Sequence, residues 1–402
     1  MFKNPETIAL RRVILPQGTM RDIDNVQMTR FNTDKNLQVF FELLKAGLWE
    51  KEVRLAGYGD IDYAAVMKMA EEQSVVGLVT AGFEQVKDVT IPKEWTLQFI
   101  GSTLQIEQRN KAMNEFVAKL ISLLRKRDIY TLLVKGQGIA QCYEKPLWRA
   151  SGDVDLFLSD TNYEKAKKEL IPLASNVEKE FQLIKHLGMT IDGFSVELHG
   201  TLRSRLTNRI DREIDWEQDE CFMQGEVRSW IVQSSKGSRV QEVQVFLPGP
   251  NQDVIFVFTH ILHHLFIEGI GLRQICDWCR LLWTYRDKID HNQLEKHLKA
   301  MGLMSEWKAF ASLVVQYLGM PQEAMPMFGS SVQEFNGKAS KLMCFVLETG
   351  NFGHNRVQAG EGKMKVLLRR TSDAFQMMRI FPIDAWKMYF GMIRTGLILR
   401  AE

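Results

Sequence analysis

Cysteine is scarce in this chain: five in 402 residues, at Cys142, Cys221, Cys276, Cys279 and Cys344. An odd count in a chain of this length is no disulfide framework and fits a reducing compartment. Charge of one sign is lacking too. Fifty-one basic residues nearly balance 49 acidic ones, for a formal net charge of +2. No global field therefore argues for nucleic acid or an anionic membrane, and any phosphate binding must come from local charge. No apolar run reaches the roughly 18 residues of a membrane helix. The closest, Phe381 to Leu399, is interrupted by Asp384, Lys387 and Arg394. Met1 to Gly18 lacks an apolar h-region and carries Pro5, Pro16, Arg11 and Arg12, so it does not read as a secretory signal. Internal repeats and low-complexity segments are absent. The expectation is a cytoplasmic protein with no membrane span and no indication of nucleic acid.

Hydrophobic residues make up 45% and charged residues 25%, an ordinary globular mix with room for two or three domains. The first third reads as helices. Leu37, Phe40, Phe41, Leu44 and Leu48 recur at helical spacing, and Ala64 to Ala70 and Val75 to Val79 suggest two more. From Trp95 to Leu124 apolar residues step by four or three, broken only by Asn110, which predicts one long packing helix. From Asn251 the pattern is helical again, through Val254 to Leu265, Leu272 to Leu282, Phe310 to Leu318, Lys341 to Leu347, Met364 to Met377 and Ala385 to Leu399.

Between these regions the pattern changes. Ile129 to Val134 is a short apolar run that fits a buried strand. Lys135-Gly136-Gln137-Gly138 follows, then a helical turn to Tyr143. Asp153 to Leu158 alternates as a strand does. Thr161 and Glu164 have capping-box spacing for a helix through Leu170. Asp192-Gly193 lies between two alternating runs and marks a two-residue hairpin. Pairing outward from it sets Ile191 against Phe194, Met189 against Val196 and Leu187 against Leu198 on an apolar face. Thr190 with Ser195, Gly188 with Glu197, and His186 with His199 form the polar face.

Asp153 and Asp155, two apart on a strand, point to one face. Paired carboxylates repel unless a cation lies between them, and a hard divalent ion with oxygen ligands answers that need. Magnesium, with manganese as its substitute, also takes substrate phosphates as ligands. Glu197 supplies a third acid, and Gly188 opposite it is expected to leave room for something other than protein. The glycines at 136 and 138 let backbone approach phosphate, and Lys135 adds a point charge.

These residues resemble the nucleotidyltransferase superfamily of the polymerase-beta type: a glycine turn, an acid-x-acid strand, and a third acid on a later strand. They look more closely like a family of uncharacterised bacterial nucleotidyltransferases. The resemblance rests on Val134-Lys135-Gly136, Tyr143, Pro146, Arg149, Gly152-Asp153-Val154-Asp155-Leu156 and Val196-Glu197-Leu198-His199. It extends to His260-Ile261-Leu262-His263-His264 and Gly271 to Asp277, and covers roughly Thr103 to Leu282. It implies that Asp153, Asp155 and Glu197 bind metal, and that Gly136 and nearby backbone, with Gln137 and Gly138, hold a triphosphate. Gln137 departs from the superfamily's usual serine or glycine after the turn glycine.

Several residues keep two readings. Arg149 either neutralises phosphate or pairs with an aspartate. His186 and His199 either touch nucleotide or hydrogen-bond structurally. Arg203, Arg205, Arg209 and Arg212 read first as a solvated basic face, and Cys276 and Cys279 as buried thiols. The predicted class is α+β: a small mixed-sheet core over 103–250 between helical regions at 1–102 and 251–402. The predicted reaction is magnesium-dependent transfer of a nucleoside monophosphate from a nucleoside triphosphate to an unknown small-molecule or protein acceptor. Two alternatives stand: an inactive nucleotide-binding or interaction module, and a helical metal-dependent hydrolase built on His260, His263, His264 and Asp277. Replacing Asp155 by asparagine is expected to relieve charge repulsion and leave the metal-free fold at least as stable.

Overall fold

The computed structural model describes residues 33–224, 227–236, 239–356, 363–387 and 389–391. The opening segment read against a secretory signal, and the end of the Ala385–Leu399 stretch, lie outside them. Asp34 starts the first helix, α1 (Lys35–Trp49), by accepting the amides of Asn36 and Leu37 at 3.0 and 3.2 Å, the usual work of an N-cap aspartate. Helices α2 (Tyr63–Glu72) and α3 (Val76–Phe83) follow. The predicted long helix is α4 (Lys93–Arg125), one unbroken element across residue 102.

Seven strands form one mixed sheet: β1 (Leu132–Val134), β2 (Asp153–Phe157), β3 (Asn176–Val177), β4 (His186–Ile191), β5 (Phe194–His199), β6 (Val227–Lys236) and β7 (Arg239–Pro248). Their order is β3-β4-β5-β2-β1-β7-β6. β2 runs parallel to β5 and antiparallel to β1, so the acid-x-acid strand sits mid-sheet. The hairpin register is the predicted one, from Ile191 with Phe194 to His186 with His199. Asp192 and Gly193 turn it at φ +50° and +80°, the paired positive values of a type I′ turn.

Alternation then separates two faces. Leu133, Val154, Leu156, Val196, Leu198 and Met189 pack against Met113, Val117 and Leu124 of α4, and against Tyr163 and Ala166 of α6 (Asp160–Leu170). On the other face Leu132, Val134 and Phe157 meet Phe256 of α8 (Pro250–Ile267). Asp155, paired with Val134 and two residues before Phe157, belongs to this second face. The remaining helices are α5 (Gly136–Ala140), α7 (Asn208–Gln224), α9 (Leu272–Tyr285), α10 (His291–Met301), α11 (Met304–Leu318), α12 (Asn336–Thr349) and α13 (Lys363–Ile380). Leu44 and Val79 share one core with Phe258, Trp278, Trp307 and Met343, so early and late helices are packed together. The architecture is α+β, with helices flanking the sheet.

Three local expectations change. The N-cap of α6 is Ser159, two residues ahead of Thr161. The Val227–Pro248 hairpin adds two strands whose alternation (Trp230, Val232; Val243, Val245, Leu247) was readable. The space beside Gly188 is also taken. A Cβ there would lie 2.6 Å from Glu178 Oε2, because Glu178 pairs with Gly188 across the sheet edge, its amide donating to the Gly188 carbonyl at 2.9 Å.

Candidate active site

The parallel register of β2 and β5 sets Asp155 directly beside Glu197, with Asp153 beside Ser195. Carboxylate oxygens of Asp153, Asp155 and Glu197 lie within 4.8 Å of one another. Asp155 is nearly inaccessible at 1% exposure, whereas Asp153 and Glu197 are half-buried. The row continues through Gly188 on β4 to Glu178, one residue beyond the end of β3.

Lys135 answers the acids. Its ammonium lies 2.7 Å from Asp155 Oδ1. Burial disfavours the charged form, but Asp155, Asp153 and Glu197 outweigh it and hold the lysine above its ordinary pKa. His199 Nε2 approaches the same Asp155 oxygen at 2.8 Å, and Glu197 Oε2 at 3.4 Å. His186 Nε2 approaches Glu197 Oε2 at 3.2 Å. Burial opposes charging of His199, yet its bonds to Asp155 and Glu197 raise its pKa. Burial likewise works against the Glu197 carboxylate, but His186, His199 and Lys135 overcome it and hold Glu197 well below the usual carboxylate range. Asp155 goes the other way. Burial, with Asp153 and Glu197 nearby, raises it despite Lys135 and His199.

The turn before the acids divides its residues between two tasks. Lys135 takes φ +57° and ψ −149°, and Gly136 takes φ +40°. Gly138 is a packing glycine, since a Cβ there would meet Leu247 Cδ2 at 2.9 Å. The Gln137 side chain is turned away into the interior, where its amide donates to Asn110 Oδ1 at 3.0 Å. Asn110 in turn donates to the carbonyls of Leu147 and Arg149 at 2.8 and 2.7 Å. The one polar break in the α4 stripe is therefore a clamp on the turn and on the loop leading to Asp153.

Arg149 has taken the second of its two readings. It forms a fork with Asp277, Nε to Oδ1 at 2.9 Å and Nη2 to Oδ2 at 2.6 Å, and Tyr143 donates to Asp277 at 2.8 Å. Asp277 is thereby spent, and it does not join the histidines of α8. His260 instead meets His264, Nε2 to Nε2 at 3.1 Å, while His264 Nδ1 faces Glu268 at 2.9 Å and His263 Nδ1 faces the Ser204 carbonyl at 2.6 Å. Among the described residues no metal-ligand group includes them. His260 borders the site: burial first, then the charges of Lys135, His264, His263 and His199, push it well below an ordinary histidine.

Sequence reasoning passed over Arg273, whose one signal was its place in the Gly271–Asp277 run. Its Nη1 donates to the Ala150 carbonyl at 2.8 Å, its Nε is buried without a hydrogen-bond partner, and among the described residues it has no carboxylate at ion-pair distance. Burial and the like charge of Arg149 lower its pKa, against the pull of Asp277 and Asp153. Of the basic cluster after Glu197, Arg203 pairs with Asp215 at 2.7 Å. Arg209 donates to the carbonyls of Lys299 and Ala300 at the end of α10, so it is not simply solvated. Arg205, half-buried beside the Phe181 ring at 5.4 Å, stands nearer the site. Cys276 and Cys279 are buried free thiols, as expected.

The site is thus a strand-borne pair of acids, a third acid on the parallel neighbour and a lysine-glycine turn at their edge. The sequence profile of a family described as uncharacterised nucleotidyltransferase matches residues 59–319. The chain belongs to that nucleotidyltransferase family. The match takes in the whole sheet together with α2 to α11, so the α8 histidines and Arg273 lie within the family region of this nucleotidyltransferase. Neither a curated protein nor a solved structure matches the chain. No helix among the described residues is long and apolar enough to cross a membrane.

Proposed function

We propose that the protein transfers a nucleoside monophosphate from a nucleoside triphosphate to an acceptor hydroxyl, phosphate or protein side chain, with magnesium or manganese. The observation that carries this reading is the convergence of Asp153, Asp155 and Glu197 within 4.8 Å on one sheet face. Three carboxylates with only oxygen donors suit a hard divalent ion. Asp153 and Asp155 would hold the ion, with Glu197 either completing its set or lying toward the acceptor. Bound there, such an ion supplies charge neutralisation at the phosphates and acidifies an attacking hydroxyl. The chain's own part is positioning and charge. Lys135 and the backbone of Gly136 would meet phosphate at the rim. Arg273, a cation without an ion-pair partner among the described residues, would meet phosphate from the helical side, and the α8 histidines would exclude water.

The test is pyrophosphate release across a panel of acceptors, for wild type and Asp155→Asn. Release by the wild type, abolished in the variant, supports the reading; nucleotide binding without release on any acceptor counts against it. A second reading, a nucleotide-binding module without turnover, has one observation in its favour. Asp155 Oδ1 already engages both Lys135 and His199, so metal entry requires that they yield.

A further inference from the structure

Beside the acids stands a group of different chemistry. His186 and His199 are cross-strand partners at the open end of the β4–β5 hairpin, and Glu197 lies two residues from His199 on the same face. The two imidazoles reach one carboxylate oxygen, with His186 Nε2 at 3.2 Å and His199 Nε2 at 3.4 Å from Glu197 Oε2. One ligand atom from each of the three lies within 4.8 Å of the others. We propose that His186, His199 and Glu197 form a second cation position that takes a borderline transition ion, zinc above all, in preference to magnesium.

The distances carry the choice of ion. Zinc bonds to imidazole nitrogen and carboxylate oxygen at about 2.0–2.1 Å in tetrahedral sites, which separates neighbouring ligand atoms by about 3.3 Å. The two Nε2–Oε2 edges of the trio, 3.2 and 3.4 Å, straddle that value. Octahedral magnesium at about 2.0–2.1 Å would bring its ligands to about 2.9 Å, and it favours oxygen. Two imidazoles and one carboxylate also leave a fourth position open to water or substrate, as catalytic zinc sites do.

The surroundings fit. Asp155 keeps Lys135 at 2.7 Å when zinc replaces its 2.8 Å contact with His199 Nε2. Among the described residues Glu197 has no lysine or arginine at bridging distance; its ion-pair partners are these two histidines. His186 is held from behind. Its backbone exchanges hydrogen bonds with Phe181 at 2.9 and 3.3 Å, and the Phe181 ring lies 6.1 Å away. The side chains keep 20% and 12% exposure, so an ion can reach them from solvent. Glu197 would then stand between this position and the Asp153–Asp155 pair. That links the proposal to the transferase reading without depending on it, because the trio can bind an ion with no nucleotide present.

The experiment uses the full chain, stripped with a chelator, in the absence of nucleotide. Titration calorimetry with zinc and with magnesium is expected to show one zinc bound at least about 100-fold tighter than magnesium, in line with nitrogen ligands. His186→Gln and His199→Gln should each weaken zinc by at least tenfold. Asp153→Asn, which alters the neighbouring acids, should weaken it less than either. Should the histidine variants fail to fold, the wild type loaded with cobalt decides. Intense visible bands of a four-coordinate ion support the site, and the weak spectrum of a six-coordinate oxygen site overturns it. Zinc affinity unchanged in both folded histidine variants also overturns it. A failure of pyrophosphate release with all acceptors would leave these metal results standing, so the two readings fail separately.

Discussion

The Lys135 ammonium sits 2.7 Å from the Asp155 carboxylate, and the lysine backbone is bent to φ +57° to place it there. A non-glycine residue in that region costs roughly 1–3 kcal/mol and persists where the surroundings hold it. Here the holding comes from the acids in front and the Asn110–Gln137 bond behind.

That pairing weighs against one expectation drawn from the sequence. Asp155→Asn was expected to relieve repulsion and leave the metal-free fold at least as stable. Asp155 is instead one half of a buried ion pair, and removing one partner of such a pair costs about 3–5 kcal/mol. Two effects offset part of this: Asp153 and Glu197 remain near Lys135, and the burial and like-charge repulsion that raise the Asp155 carboxyl are relieved in the neutral isostere. Asp155→Asn should therefore melt below wild type, and adding Lys135→Met should restore part of the loss. Urea unfolding of the four-member cycle checks it, with a coupling of roughly 1–3 kcal/mol expected. An Asp155→Asn variant as stable as wild type would sink the pairing.

Arg273 should behave in the opposite sense. Among the described residues the half-buried Arg273 has no carboxylate at bridging distance and its buried Nε has no hydrogen-bond partner, which is a standing cost. Arg273→Gln should leave the ligand-free fold as stable as wild type or more so, while weakening nucleoside triphosphate binding about tenfold or more. Thermal melts with and without nucleotide separate the two effects. A variant that melts lower yet binds nucleotide normally would make Arg273 structural.

What was legible in the sequence follows from period and pairing. Alternation put Asp153 and Asp155 on one face, and the Asp192-Gly193 turn fixed a register that a slip of one residue would have reversed. Contacts between distant segments were not legible. Nothing local says that Gln137 turns inward to Asn110, that Asp277 captures Arg149, or that Glu178 leans over Gly188. Each joins residues 10 to 128 positions apart in the chain, and sequence periodicity carries no such information.

The Asn110 clamp gives a third prediction. Asn110→Leu would continue the apolar stripe of α4 and on periodicity alone should be harmless. In the structure it strands the Gln137 amide and the carbonyls of Leu147 and Arg149. Buried groups left without partners cost about 1–3 kcal/mol each. The variant should lose on the order of 3 kcal/mol in chemical denaturation. A second substitution, Gln137→Leu, should return part of it by removing one stranded group. No loss in the single variant would show that the clamp is dispensable.

The last prediction concerns pH and lies far from the acids of the sheet. Glu306, in the first turn of α11, is fully buried. Burial first, and then the neighbouring Asp384 carboxylate, push its carboxyl from 4.5 up to about 8, with Lys338 opposing. Lys338 itself donates to Ser305 at 2.9 Å. The folded-state value is raised for an acid, so the folded protein binds more protons than the unfolded chain between about pH 4.5 and 8. Stability must then fall as pH rises through that window and level off above it. At one pH unit per roughly 1.4 kcal/mol, the full effect is on the order of a few kcal/mol. Glu306→Gln imitates the protonated form, so it should match wild type near pH 5 and be more stable at pH 8 to 9. Urea unfolding of both proteins across pH 5 to 9 is the measurement. Parallel curves for the two, or a less stable variant at pH 8, would show that Glu306 is ionised and compensated in the folded state.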